Sequence, residues 1–185
     1  MPSKDIDCEL RSFSAIVKYY QQRHQKNAHK VIRFFSGCRT YDEVLERAAY
    51  AKLPSGKRHP HQYRLKRSAL RQVHRRLKQF DLESCTSFHE LFETIHEAIL
   101  EISGIGELMI YDTAFRIGAY LGLEPEFVYL HAGTRTGAVA LGHDRSAAWI
   151  EVGNLPPAFR HLKPWEIEDC LCIYNQEIQW LQCHD

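Results

Sequence analysis

Apolar residues recur mostly at helical spacing along the chain, and no pair of alternating segments reads as a strand hairpin. Ile6, Leu10, Phe13, Val17 and Tyr20 lie four, three, four and three residues apart, which sets them along one side of a helix over residues 5–22. Thr40, Tyr41, Asp42 and Glu43 form a capping box, in which the Thr40 hydroxyl accepts from the Glu43 amide while the Glu43 carboxylate reaches back. That helix runs to about Lys52. From Arg64 to Phe80 the apolar Leu70, Val73, Leu77 and Phe80 again step by three and four, with Arg64, Arg67, Arg71, His74, Arg75 and Lys78 on a neighbouring arc. A second capping box, Ser87 to Glu90, opens a helix that turns Phe88, Leu91, Phe92, Ile95, Ile99 and Ile102 inward and the row Glu93, Glu97 and Glu101 outward.

That helix ends at Ser103, Gly104, Ile105 and Gly106, and a further apolar run extends to Leu121 before Gly122 and Pro125. Leu53 to His61 holds two prolines and a glycine, so it reads as an exposed loop. Residues 126–152 read as short helices joined by Gly133, Gly137 and Gly142, although Phe127, Val128, Tyr129 and Leu130 have strand-like composition. After Lys163 and Pro164, the series Ile167, Leu171, Tyr174, Ile178 and Leu181 predicts one final helix. The expectation is a compact all-α protein in two parts, residues 1–82 and residues 83–185.

Composition bounds the class. With 185 residues, 44% hydrophobic and 25% charged, the chain is not disordered as a whole. It holds no apolar window of about 18 residues and no apolar segment at its start, so neither a membrane span nor a secretory signal is expected, and the expected location is the cytoplasm or nucleus. Six cysteines in a chain that can bury a proper core are expected to stay reduced.

The net charge of +1 conceals a strong asymmetry, because residues 47–80 carry eleven basic residues and no acid. Lys57, Arg58, Arg64, Lys66, Arg67, Arg71, Arg75, Arg76 and Lys78 crowd into 22 positions with His59, His61, His74 and the aromatic Tyr63. Such density suits phosphate neutralisation, with Tyr63 able to stack on a base or sugar. The same block also suits a solvated helix face, or a surface that docks the chain's own acidic rows or an acidic protein partner.

The run Ile102, Ser103, Gly104, Ile105, Gly106 between two amphipathic helices resembles the hairpin of the helix-hairpin-helix DNA-binding superfamily. Two glycines there bring backbone N–H groups close to a phosphate oxygen at the positive end of the next helix, a contact indifferent to base sequence. Thr113 and Ala114, followed by Val128, Tyr129, Leu130, His131 and then Arg135, are similar to the DNA-glycosylase-like branch, and the resemblance covers roughly residues 88–142. Two departures stand out. Gly106 and Ala114 are about four residues further apart than in that branch, and Tyr129 stands where its catalytic aspartate is expected.

The resemblance therefore implies the scaffold and a phosphate contact through Gly104, Ile105 and Gly106, and with the basic residues Lys57, Arg58, Arg64, Arg67, Arg71, Arg75 and Lys78 the expected partner is nucleic acid, duplex DNA foremost. It also leaves open a divergent base-excision enzyme in which Asp112 or Asp144 replaces the missing acid beside His131 and Arg135. Asp112 equally suits a surface ion pair, and Asp144 a turn or cap. No cofactor or metal is expected: phosphate-loop and zinc-protease patterns are absent, and Cys170 with Cys172 would point about 200° apart on a helix, which leaves Cys170, Cys172, Cys183 and His184 a poor zinc set.

Overall fold

The computed structural model describes residues 10–184, and among them helices dominate, so the all-α expectation holds. Contacts separate the chain into two compact units, one formed by Asn27–Pro125 and the other by Met1–Lys26 with Glu126–Asp185. The division expected near residue 82 falls instead inside the first of these. Leu82 is fully buried there, and the helices on either side of it pack together, so the segment is interior rather than a linker.

In the Asn27–Pro125 unit, α2 (Lys26–Ser36) precedes α3 (Tyr41–Ala49), α4 (Arg67–Leu77), α5 (Phe88–Ile99) and α6 (Glu107–Leu121), while α1 (Phe13–Tyr20) belongs to the other unit. No pattern in the sequence reading marked α2. Thr40 Oγ1 accepts from the Glu43 amide at 3.2 Å, and the Glu43 carboxylate takes the Arg39 amide at 2.7 Å, one residue earlier than the standard box. The same variant recurs at α5, where Ser87 caps Glu90 and the Glu90 carboxylate takes the amide and hydroxyl of Thr86. Each arrangement satisfies one amide that helix geometry leaves without a partner and ties down the amide of the residue before the cap. α3 packs on α4 and α6, and α4 and α6 each pack on α5. Phe35, Cys38 and Val44 form one local core with Tyr41 and Tyr120 around it.

The other unit contains α1, then β1 (Val128–Tyr129), α7 (Ala132–Ala140), β2 (Trp149–Ile150), α8 (Pro164–Ile173) and α9 (Asn175–His184). The helix expected over 5–22 begins in the structure at Phe13, capped by the Ser12 hydroxyl, and Ile6 lies outside the described residues. Leu10 is buried without being helical. Val128 and Tyr129 follow their strand-like composition and pair antiparallel with Ile150 and Trp149, a small ladder that the glycine-joined helical reading missed. The single final helix is two. Its apolar series is buried throughout, but the backbone leaves helical geometry at Tyr174 and restarts at Asn175, whose side-chain Nδ2 donates to the Cys172 carbonyl at 2.6 Å.

α7 packs on α8 and α9 at close range. A Cβ on Gly137 would lie 2.7 Å from the Leu171 carbonyl oxygen, so a glycine is what permits the approach. Gly137→Ala is expected to lower stability by about 1–3 kcal/mol, read as a reduced urea midpoint at unchanged slope. A variant as stable as its parent would contradict this contact.

Candidate functional site

Burial of Leu70, Val73 and Leu77 turns the opposite side of α4 to solvent. Arg67, Arg71 and Arg75 stand on that side, four residues or about 6 Å of helix rise apart, and all three are exposed. Among the described residues none of them meets a carboxylate or any other side-chain partner. Exposed Lys66 and Arg76 flank them. Lys78 differs, since its Nζ lies 2.8 Å from Asp42 Oδ1 and holds that carboxyl below its ordinary range.

The loop before α4 is built rather than loose. Lys52 bridges Arg58, the Leu53 amide donates to the Lys57 carbonyl, and His59 donates its amide to Ala51. Arg58 is spent inside the loop, donating to the carbonyls of Tyr63 at 3.2 Å and Leu65 at 2.8 Å. Through Nη1 it therefore serves as a pin within the loop. Tyr63 is 59% exposed, with Arg64 donating to its hydroxyl and lying 5.2 Å from its ring centroid. Lys57 and Arg64 remain at the surface.

Gln62 anchors this loop. It is 1% exposed, donates to Asp112 of α6 and accepts from Arg116 at 3.1 Å. Arg116 also donates to Asp112 at 2.9 Å, so the three side chains close a buried ring of hydrogen bonds. Asp112, a candidate catalytic acid, is thereby the counter-ion of a buried guanidinium. His59 sits near the pair, and burial pushes its imidazole below the ordinary value of 6.5.

α5 and α6 are joined by a tight turn in which Gly104 has φ of +89°, a geometry that favours glycine. Ile102 and Ile105 are buried beneath it. The amides of Gly104 and Gly106 find no acceptor among the described residues, whereas the Ile105 amide is given to the Ile102 carbonyl at 2.9 Å. Ile105 is therefore an anchor, and the expectation that its amide faces a ligand is corrected. Glu107 occupies the first turn of α6, an acid at the positive end of the helix.

The other three candidate catalytic residues lie in the second unit. Arg135 of α7 donates to the carbonyls of Leu130, Arg145 and Ala147, which fixes the loop after α7. Asp144 is fully exposed and accepts from the amide and hydroxyl of Ser146, the turn role expected as its alternative. His131 is buried at the N-terminus of α7, where its Nε2 meets the Glu168 carboxylate and the Thr134 hydroxyl. Cys172 joins them, so that His131, Glu168 and Cys172 offer three metal-ligating atoms within 4.8 Å of one another. A cleft of about 520 Å³ opens elsewhere on α7, lined by Arg135, Arg145, Gln179, Gln182 and Cys183 among others.

Sequence reasoning missed Gln62, Arg116, Thr134 and Glu168 as site residues, and weighed Cys172 only with Cys170, Cys183 and His184 rather than with His131 and Glu168. Asp112 with Arg116, and Glu168 with Cys172, are four residues apart on a helix, a spacing that could have flagged both pairs. No protein-family model, curated protein or solved structure matches this chain.

Asp112→Ala should leave the Arg116 charge buried without its counter-ion and lower stability by about 3 kcal/mol, while Asp144→Ala should leave the urea midpoint in place. Equal midpoints would remove the structural role assigned to Asp112.

Stability should also fall in acid. Burial lowers the imidazoles of His24, His59, His74 and His143 from 6.5, so the unfolded chain takes up protons that the folded chain resists. Stability is then full above that value and is lost as pH falls through it, with Asp42, Glu46, Glu90 and Asp144, all held below their usual range, adding losses at lower pH. The melting temperature should drop between about pH 7.5 and about pH 5.5, and a flat profile would count against these burials.

Proposed function

We propose that this chain binds nucleic acid, duplex DNA foremost, through the exposed row Arg67, Arg71 and Arg75 of α4 with Lys57, Arg64 and Lys66 beside it. The observation that carries the reading is the unneutralised row itself. Surface arginines near acids usually find one, yet here the protein's own carboxylates engage Arg47, Lys52, Lys78 and Arg116 and leave these three unpaired. The exposed acidic row of α5, Glu93, Glu97 and Glu101, also stays unpaired with them, which argues against intramolecular docking.

The turn at Gly104 and Gly106 supports a second phosphate contact, because its two amides find no acceptor among the described residues and both glycines are exposed. Exposed Tyr63, with Arg64 against its ring, adds a stacking surface. A chemical step draws no comparable support, since Asp112, Arg135 and Asp144 are each committed to contacts that shape the fold. The proposal is therefore one of binding.

Fluorescence anisotropy with labelled duplex DNA, single-stranded DNA and RNA over a range of salt tests it. Duplex DNA should bind with a steep negative slope of log K against log salt, and Arg67→Ala with Arg71→Ala and Arg75→Ala should flatten that slope by about 2.7 if each arginine meets one phosphate. Binding that ignores the triple variant would move the interface elsewhere. No binding to any of the three, with capture of an acidic protein instead, would replace nucleic acid by a protein partner.

A further inference from the structure

We propose that His131, Glu168 and Cys172 form a zinc-binding site that fastens the start of α7 to α8. Glu168 and Cys172 are one helical turn apart on α8, so their side chains share a face. His131 precedes α7 and turns its Nε2 toward that face. The three donor atoms lie within 4.8 Å of one another. Bonds of about 2.0–2.3 Å place tetrahedral zinc ligands roughly 3.5 Å apart, so only small side-chain shifts separate this arrangement from a coordinated one.

His131, Glu168 and Thr134 are already held together by hydrogen bonds, so the carboxylate and the imidazole face one another before any ion enters. A Cβ on Gly133 would lie 2.5 Å from Cys172 Sγ, so α7 carries no side chain where the sulfur sits. Thr134, fully buried, donates to the Glu168 carboxylate at 2.8 Å, the kind of contact that orients a metal-bound carboxylate from behind. One imidazole, one carboxylate and one thiol is a borderline-soft donor set. It suits zinc, whereas magnesium and calcium select oxygen alone. With three protein donors, the fourth position falls to water.

Binding requires a neutral imidazole with its lone pair on Nε2, which puts the ring proton on Nδ1, and a thiolate at Cys172, whose proton leaves to solvent. The location matters as much as the donors. His131 and Glu168 are 37 residues apart in sequence, and a shared ion would tie the N-terminus of one helix to the middle of another. Zinc bound to the folded chain alone raises its stability in proportion to the logarithm of free metal. This site belongs to a different unit from the arginine row, so the two proposals stand or fall separately.

The test uses the full chain, stripped with chelator and titrated with zinc against a chromophoric competitor, and with cobalt as a spectroscopic stand-in. One equivalent of zinc should bind and raise the melting temperature, and the cobalt form should show thiolate-to-metal charge-transfer absorption. Cys172→Ser should abolish that absorption and weaken zinc by more than about a hundredfold, and Thr134→Val should weaken it by about 10–100-fold. Cys183→Ser, at the exposed thiol of α9, should change neither. If Cys172→Ser does not fold, Glu168→Gln, which keeps the side chain's size, should weaken zinc by more than about tenfold while the thiolate band of the cobalt form persists, and unchanged affinity would overturn the site. No zinc retained against the competitor, or a thiolate band that survives Cys172→Ser or vanishes in Cys183→Ser, would overturn the site.

Discussion

A guanidinium taken out of water needs a counter-charge and acceptors, and Arg116, whose Nη2 is met while its Nη1 finds no hydrogen-bond partner among the described residues, shows how much structure one such charge can organise. It is 4% exposed, and burial alone would drive it toward the neutral form. Asp112, one turn earlier on α6, supplies the opposite charge, Gln62 from the basic loop supplies an acceptor, and the ring of Phe35 on α2 lies 6.0 Å from the guanidinium carbon. Three separate stretches of the Asn27–Pro125 unit converge on one side chain. Removing Asp112 would strand a buried charge, which is among the costliest defects a folded chain can hold.

The consequence reaches the surface. A loop containing Pro54, Gly56 and Pro60 has little secondary structure to hold it, yet Gln62 locks it to α6 and Arg58 locks it to itself. Lys57, Tyr63, Arg64 and Lys66 are therefore presented from a fixed frame. Ordering such side chains at the moment of binding would cost affinity, and a frame built during folding avoids that cost. Arg58 is the basic residue whose contacts shape this frame, while Lys78 is engaged with Asp42 of α3.

Periodicity made the helices legible where one face is apolar and the caps are polar, as at Thr40 and Ser87. It failed where the period carries across a break: Ile167 to Leu181 is one unbroken series, and only the backbone at Tyr174 divides it, because both helices bury the same side. The charge block was legible as composition, and the exposure of Arg67, Arg71 and Arg75 followed from the inward Leu70, Val73 and Leu77. The partners of Asp112 and His131 were not legible. Gln62 and Arg116 are 54 residues apart, His131 and Glu168 are 37 apart, and no local pattern encodes a contact made by tertiary packing. The domain boundary was hidden for a related reason, since a charge transition near residue 82 marks a change of surface and not of core.

The second unit raises a problem of chain closure. It is made from both ends of the described chain, so α1 has to return to α8 across the whole Asn27–Pro125 segment. Closing a loop of that length carries an entropic cost that grows slowly with length, and the cost falls when the intervening residues are already compact. The contacts that reward closure are specific. Phe13 meets Phe159 with ring centroids 5.7 Å apart, Tyr20 donates to Asp169 at 3.0 Å, and Gln25 donates to Glu166 at 2.7 Å. Two of these three end on α8, the helix that also carries Glu168 and Cys172. That helix thus joins the returning N-terminal segment on one set of residues and α7 on another, and its polar side chains at 166, 168 and 169 are buried or half-buried because each answers a partner from elsewhere in the unit. Such contacts add less free energy than apolar packing of the same area, but they are directional, and direction is what a unit assembled from two distant stretches needs in order to close in one register.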